Sequence, residues 1–440
     1  MTVPNRLFYG LCFLSILLVS CASGNPYVKA DEAVLRGDFK KGVAELEAHQ
    51  GAYGDGDQVL IYLDLGMMNH YAEDYEKSSA LLQDGEKAIE AAFTKSVTRG
   101  LGSYLINDNT LEYAGEDYED IYINVFNSLN YYHRGSLEGA LVEVRRIDNK
   151  LKALSTKYGT VITNLQKSML EENISVPFDA NAVTVNFLNS ALARYMSMLF
   201  YRGEGQMDDA RIDRNQVKLA FANQPSMYPF SPPSTLDDET EIPKGMARLN
   251  VISFNGFSPV KIEETLRVPI SLDGHYVKVA LPVMVSRESD IAYTEIFMDT
   301  GEIFYLELLE DIDLIAKETF KLKQSAIYLK TLIRSTVKST TAVALDAASN
   351  STKNDNAALA FAILSLGTQI FAEVSEQADI RGAHYFPGKA LVGGINLPPG
   401  VYSFTVNYYD HKGRLLHKQR FEQVQVLENQ LNLVEVICLK

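Results

Sequence analysis

The chain has 440 residues, is 46% hydrophobic and carries a formal charge of −15. That balance excludes the basic footprint of a nucleic-acid binder and broad adsorption to anionic headgroups. Length allows two or three domains, and because Cys12 and Cys21 fall within or beside an export signal and Cys438 stands alone, no disulfide is expected in the mature chain.

Residues 1–20 read as a lipoprotein signal peptide: a short basic start ending at Arg6, an apolar stretch from Leu7 to Val19 too short to span a bilayer, then Leu18-Val19-Ser20-Cys21. This last phrase matches the bacterial lipobox, so Cys21 is the expected lipidation site and the membrane the expected partner of the N-terminus. Removing Arg6 with the signal leaves 40 basic against 56 acidic residues, near −16. Ala22 and Ser23 lack the Asp that retains some lipoproteins at the inner membrane. The expected place is therefore the cell envelope, with the outer membrane favoured and a soluble body in the periplasm or at the cell surface.

Residues 21–223 show apolar spacings of three and four, interrupted by Gly or Asn-Asp turns, which predicts helices. A phrase recurs: Arg36-Gly37-Asp38-Phe39, then His70-Tyr71-Ala72-Glu73-Asp74-Tyr75, Arg134-Gly135-Ser136-Leu137 and, more loosely, Arg202-Gly203-Glu204 through Ala210. Each resembles the turn within a tetratricopeptide repeat. Phe39 and Tyr75 lie 36 residues apart, near the usual period of about 34, but Tyr75 and Leu137 lie 62 apart. A degenerate tetratricopeptide-like array is expected, with a plain helical bundle as the alternative.

Residues 224–245 hold five of the fourteen prolines and read as a linker or strap. Beyond them, 246–440, the period becomes two, with strands predicted at Arg248–Phe254, Leu266–Ile270, Tyr276–Leu281, Val401–Val406 and Gln419–Val426. A helical hairpin is expected to interrupt them at about 306–377. Its first helix, from about Asp313, carries Leu322, Ala326, Leu329 and Ile333 on one stripe, and its second Leu359, Ile363, Leu366, Ile370 and Val374. The predicted class is α+β: a helical array, then an antiparallel β-sandwich-like domain with a hairpin insertion.

His70 beside Tyr71 and Tyr75 suggests a proton relay or a metal ligand, but the seven histidines show no short ligand spacing, so packing is the expected role and no metal or cofactor is expected. Asp55-Gly56-Asp57 lacks the rest of a calcium loop and reads as a turn. Glu116, Asp117, Glu119 and Asp120, with Tyr113, Tyr118 and Tyr122, offer either a solvated cluster or a polar-aromatic binding face. Asp379 and Arg381 form the sharpest charged pair, expected to close the hairpin onto the sheet. No nucleophile with a base, no carboxylate pair and no phosphate loop is specified, so an enzyme is not expected.

Several phrases together resemble a largely uncharacterised family of bacterial envelope lipoproteins with a tetratricopeptide-like N-terminal half and a β-rich C-terminal domain. They are Leu65-Gly66-Met67-Met68-Asn69-His70-Tyr71-Ala72 with Tyr75-Glu76-Lys77-Ser78, Glu112-Tyr113 with Asp117-Tyr118-Glu119, and Ala140-Leu141-Val142-Glu143-Val144-Arg145-Arg146. Asn255-Gly256 with Pro259-Val260-Lys261, Ala378-Asp379-Ile380-Arg381 and Leu397-Pro398-Pro399-Gly400-Val401-Tyr402 complete the set. The aromatic, usually Trp, that follows Ala-Asp-x-Arg in that family is replaced here by Gly382-Ala383-His384-Tyr385. The resemblance implies a place in envelope biology and brings no catalytic residues. The expected activity is a non-enzymatic scaffold binding another envelope protein or a peptide on the concave face of the array. The alternative is a peptidoglycan or carbohydrate binder using Tyr402, Tyr408 and Tyr409.

Overall fold

The computed structural model describes residues 27–98, 111–171, 185–269, 276–351 and 377–440. The signal, Cys21 and the expected second hairpin helix lie outside these residues. The fold is α+β, with helices first and a mostly antiparallel sheet after them. No helix among the described residues is long and apolar enough to cross a membrane.

Four helical hairpins lead the chain: α1 (Tyr27–Leu35) with α2 (Phe39–Ala48), α3 (Gln58–Tyr71) with α4 (Tyr75–Thr98), α5 (Asp117–His133) with α6 (Leu137–Lys157), and α8 (Ala191–Gly203) with α9 (Met207–Asn223). Helix α7 (Gly159–Glu171) follows the third. One turn is used four times. A residue at positive φ, namely Gly37, Glu73, Gly135 or Gly205, ends the first helix. The next amide, of Asp38, Asp74, Ser136 or Gln206, then reaches back five residues to a helix carbonyl at 2.8–2.9 Å, which satisfies an orphan acceptor of the helix end. Asp38, Asp74 and Ser136 also cap the following helix with their side chains. The fourth turn centres on Gly205, not on the expected Gly203, which is the last residue of α8 and packs beside Leu137 and Leu431. In each second helix, the fourth residue is small and buried: Gly42, Ser78, Ala140 and Ala210. A larger side chain there would hold the two helices apart.

The sheet has seven strands among the described residues, in the order β8-β7-β4-β5-β6-β1-β9. They are β1 (Ala247–Phe257), β4 (Tyr293–Met298), β5 (Ile303–Asp311), β6 (Pro387–Leu397), β7 (Gly400–Tyr409), β8 (Leu415–Val426) and β9 (Asn432–Cys438). All pairings are antiparallel except β1 with β9. In place of two separate sheets, this one sheet rolls over its own face. Leu249, Val251, Ile296, Phe404, Val406 and Val436 meet in one cluster, and the Ser253 hydroxyl lies 3.2 Å from that of Tyr408 on a strand far from β1 in the sheet order. A separate ribbon, β2 (Val260–Pro269) with β3 (Tyr276–Val285), leans on the long helix α10 (Ile312–Ser351). The expected insertion from about 306 opens as strand, since Leu306–Asp311 belongs to β5.

The inner helices α3, α5 and α8 are buried along most of their length. The chain's own sheet covers them: Phe126 packs on Phe254 at 4.9 Å, and the hydroxyls of Tyr71 and Tyr132 donate to the carbonyls of Tyr385 and Leu433. One apolar cluster therefore runs from Ala30 through Phe126 and Phe200 to Phe254, Ile312 and Phe386. Segment 224–245 lies across this seam, with Tyr228, Leu236 and Glu239 buried. Arg202 of α8 and Arg248 of β1 both grip Glu239, at 2.6 and 2.8 Å.

Candidate functional site

The sequence candidates fall into two groups, both along the seam between helices and sheet. The first surrounds His70, three residues before the positive-φ turn that ends α3. Its Nδ1 lies 2.7 Å from Asn130 Oδ1 and its Nε2 2.7 Å from Glu435 Oε1. Asn130 donates its own amide to Ser78 Oγ at 2.9 Å, which identifies its Oδ1 as the acceptor. Both ring nitrogens of His70 thus face acceptors, an arrangement satisfied by the imidazolium. His133, at the end of α5, donates from Nε2 to Glu435 Oε2 at 2.7 Å and stacks on Tyr75 with ring centres 4.2 Å apart.

Burial alone would push the Glu435 carboxyl up, yet the charge of His70 and the bonds from His133 and His70 hold it down at about 2. Burial alone would lower His70, and Glu435 reverses this, raising it above the ordinary histidine value. Both histidines sit at helix C-termini, where partial negative charge favours a cation. A cleft of about 320 Å³ opens over His70 and Glu435, lined by Phe39, Lys40, Tyr71, Tyr75 and Gln419 among others. Chemically the group is an ionic clamp between two helix ends and β9. Among the described residues, no group of three or more His, Cys, Asp or Glu is arranged to hold a metal ion.

The second group surrounds Arg381, in the segment before β6. Its guanidinium takes Asp379 at 2.8 Å, Asp57 at 2.9 Å and the Leu111 carbonyl at 2.9 Å, and lies over the Tyr113 ring at 5.5 Å. Burial would raise the Asp379 carboxyl, but the bond from Arg381 and the charge of Lys261 lower it. Tyr113 donates to Glu119, which also receives the Ala383 amide, so α5 is tied to the same segment. Burial and the neighbouring Glu116 lift the Glu119 carboxyl to about 7. Tyr118 turns away into the core, its hydroxyl 3.3 Å from that of Ser258 and its ring against Phe386. The acidic cluster is internal: Glu116 holds Lys261 at 2.5 Å and Lys323 at 3.0 Å, while Asp117 holds Lys157 at 2.6 Å.

The structure brings His70, Tyr71 and Tyr75 together, and Asp379, Arg381 and Tyr113 together. It adds residues the sequence did not single out for these sites: Glu435, Asn130, Asp57 and the Asp64 carboxylate, which receives the hydroxyls of Tyr27 and Tyr53 and the His384 amide. Asp64 inside α3 is signalled by polarity at a position whose periodicity is apolar, whereas Asp57 reads in sequence as part of a turn. Of the three tyrosines considered for sugar stacking, Tyr408 is fully buried, Tyr402 donates to the Pro398 carbonyl, and Tyr409 lies outward against Tyr293. No family model, curated protein or solved structure matches the chain.

Proposed function

We propose that this protein is a non-enzymatic, lipid-anchored scaffold of the bacterial envelope, held to its membrane through Cys21, with a degenerate tetratricopeptide-like array that receives another envelope protein. The observation that supports this reading is the fourfold use of one turn with one small buried residue after it, the internal repetition from which such arrays are built. The chain's own sheet occupies the inner helices, so the partner surface lies on the outer ones. There Val142 of α6 and Ile212 and Leu219 of α9 are exposed at 49%, 56% and 45%. Photo-crosslinking residues placed at 142 and 212 in cells are expected to give one discrete adduct, lost when Leu219 becomes Glu. Adducts indistinguishable from those at a remote exposed site such as Lys412 would end the scaffold reading. Fatty-acid labelling of the parent and of Cys21→Ala tests the anchor separately: equal labelling, or unchanged membrane partitioning, would remove it.

A further inference from the structure

Among the described residues, helices cover the outward side of the sheet over β6, β1 and β9 and leave it open over β8, β7, β4 and the start of β5. Strand register sets the bare side chains in rows across these strands. Leu415, Tyr409 and Tyr293 form the first, Lys418, Asn407, Glu295 and Tyr305 the second, and Arg420, Thr405, Phe297 and Ile303 the third. Phe297, Ile303, Tyr305 and Leu415 are 43%, 51%, 55% and 50% exposed. The rows are ordered rather than scattered: Tyr293 stacks on Tyr409 with ring centres 4.9 Å apart, and Glu295 receives the Tyr305 hydroxyl at 3.4 Å.

Charge on this face is divided by strand. On β8, Arg420 is paired within its own copy to Asp299 at 2.5 Å and to Glu422 at 3.7 Å, which leaves Lys418 as the cation that faces outward, while Glu295 and Glu307 stand on β4 and β5. A two-fold axis can therefore set Lys418 of each copy against the carboxylates on β4 and β5 of the other. The face's exposed content of Tyr, Phe and Arg is also the composition enriched where proteins meet.

We propose that this face binds a second copy of the same chain, face to face about a two-fold axis running along the strands. That axis lays β8 of each copy over β5 of the other, so Lys418 meets the Tyr305 ring and Glu307, and the aromatic rows meet in the centre. An axis across the strands would set β8 on β8 and oppose like charges. The inference goes beyond the scaffold reading and does not depend on it, since the non-lipidated Cys21→Ala chain carries the same face.

Sedimentation of the full lipidated chain in density-matched detergent, and of the Cys21→Ala chain without it, is expected to give twice the chain mass. Lys418→Glu is expected to weaken the dimer about tenfold or more, because it sets a carboxylate against Glu307. Combining it with Glu307→Lys restores the pairing in reverse and is expected to return the dissociation constant to within about threefold of the parent. Glu307 also accepts from Ser234, so thermal melts accompany both variants, and Phe297→Arg supplies an independent disruption of the central row. A parent that stays monomeric at about 100 μM, a dimer indifferent to Phe297→Arg, or a charge swap that fails to restore association in a folded variant would overturn the proposal. So would a monomer that sediments with purified peptidoglycan through Phe297, which would assign the face to glycan.

Discussion

Two buried carboxylates, Glu435 and Glu239, hold cations from distant parts of the chain, and a half-buried one, Asp379, holds its neighbour Arg381; the clearest consequences at the residue scale are dependences on pH and on pairing. Glu435 falls from 4.5 to about 2 on folding, so its contribution is present above 4.5 and is lost as pH falls through about 2; the shift corresponds to roughly 3 kcal/mol. His70 is raised above 6.5, so its contribution is complete below 6.5 and is lost as pH rises through its folded value. Thermal melts of the parent are therefore expected to be highest between these limits, and Glu435→Gln is expected to flatten the profile and to destabilise by about 3–5 kcal/mol at neutral pH. A variant with the parent's profile would show that the clamp contributes little. Arg381→Ala strands Asp379 and Asp57 together and is expected to lower stability by about 2–4 kcal/mol, while Asp379→Ala with Arg381→Ala costs less than the sum of the two single changes. Strict additivity would deny the coupling. Adjacency made Asp379 and Arg381 legible as a pair in sequence. Asp57, 324 residues from Arg381, and Glu435, 365 from His70, were not legible, because only the closed fold makes them neighbours.

At the scale of the element, the shared turn makes a comparison between its four copies. Gly37, Gly135 and Gly205 adopt positive φ without a side chain, whereas Glu73 adopts φ 66° with one. Glu73→Gly relieves that strain and is expected to be neutral or to stabilise by up to about 1 kcal/mol, while Gly135→Val imposes it on a branched residue and is expected to cost about 1–2 kcal/mol. Ala140→Glu is expected to cost more, since the site is fully buried and the new charge has no partner there. Melting temperatures of the three variants that do not separate in this order would remove the turn as the source of the repeat. The hairpins were readable because Gly, a capping Asp or Ser and a small residue are local signals. The strand Ile303–Asp311 was not: its run Leu306-Glu307-Leu308-Leu309-Glu310 uses strong helix formers, and its state is set by pairing with Thr294–Phe297 and Lys389–Val392. Glu310 accepts the hydroxyls of Tyr122, Ser190 and Tyr228, so its carboxyl points into the interior.

For the whole molecule, the decisive feature is that helices and sheet close on one cluster. Residues 27–223 produced alone would expose the inner sides of α3, α5 and α8 to water. They are expected to bind hydrophobic dyes and to melt without a sharp transition, and a cooperative, soluble helical half would contradict this. The composition announced a large core, and the change of period announced where helices give way to strands. It could not announce that the two share a core, because polar residues such as Asn130, Asn250 and Arg202 are buried at the seam and blur the pattern by which faces are recognised. The pinning of His133 by Glu435 spans 302 positions, and this has a temporal meaning. Chain is made from its N-terminus, so the third hairpin waits for some 300 further residues before the carboxylate that clamps it exists. At about 5–20 residues per second, that is an interval of roughly 15–60 seconds in which the inner helices have no cover of their own. A protein built this way depends, for that interval, on whatever keeps its unfinished half from sticking to itself.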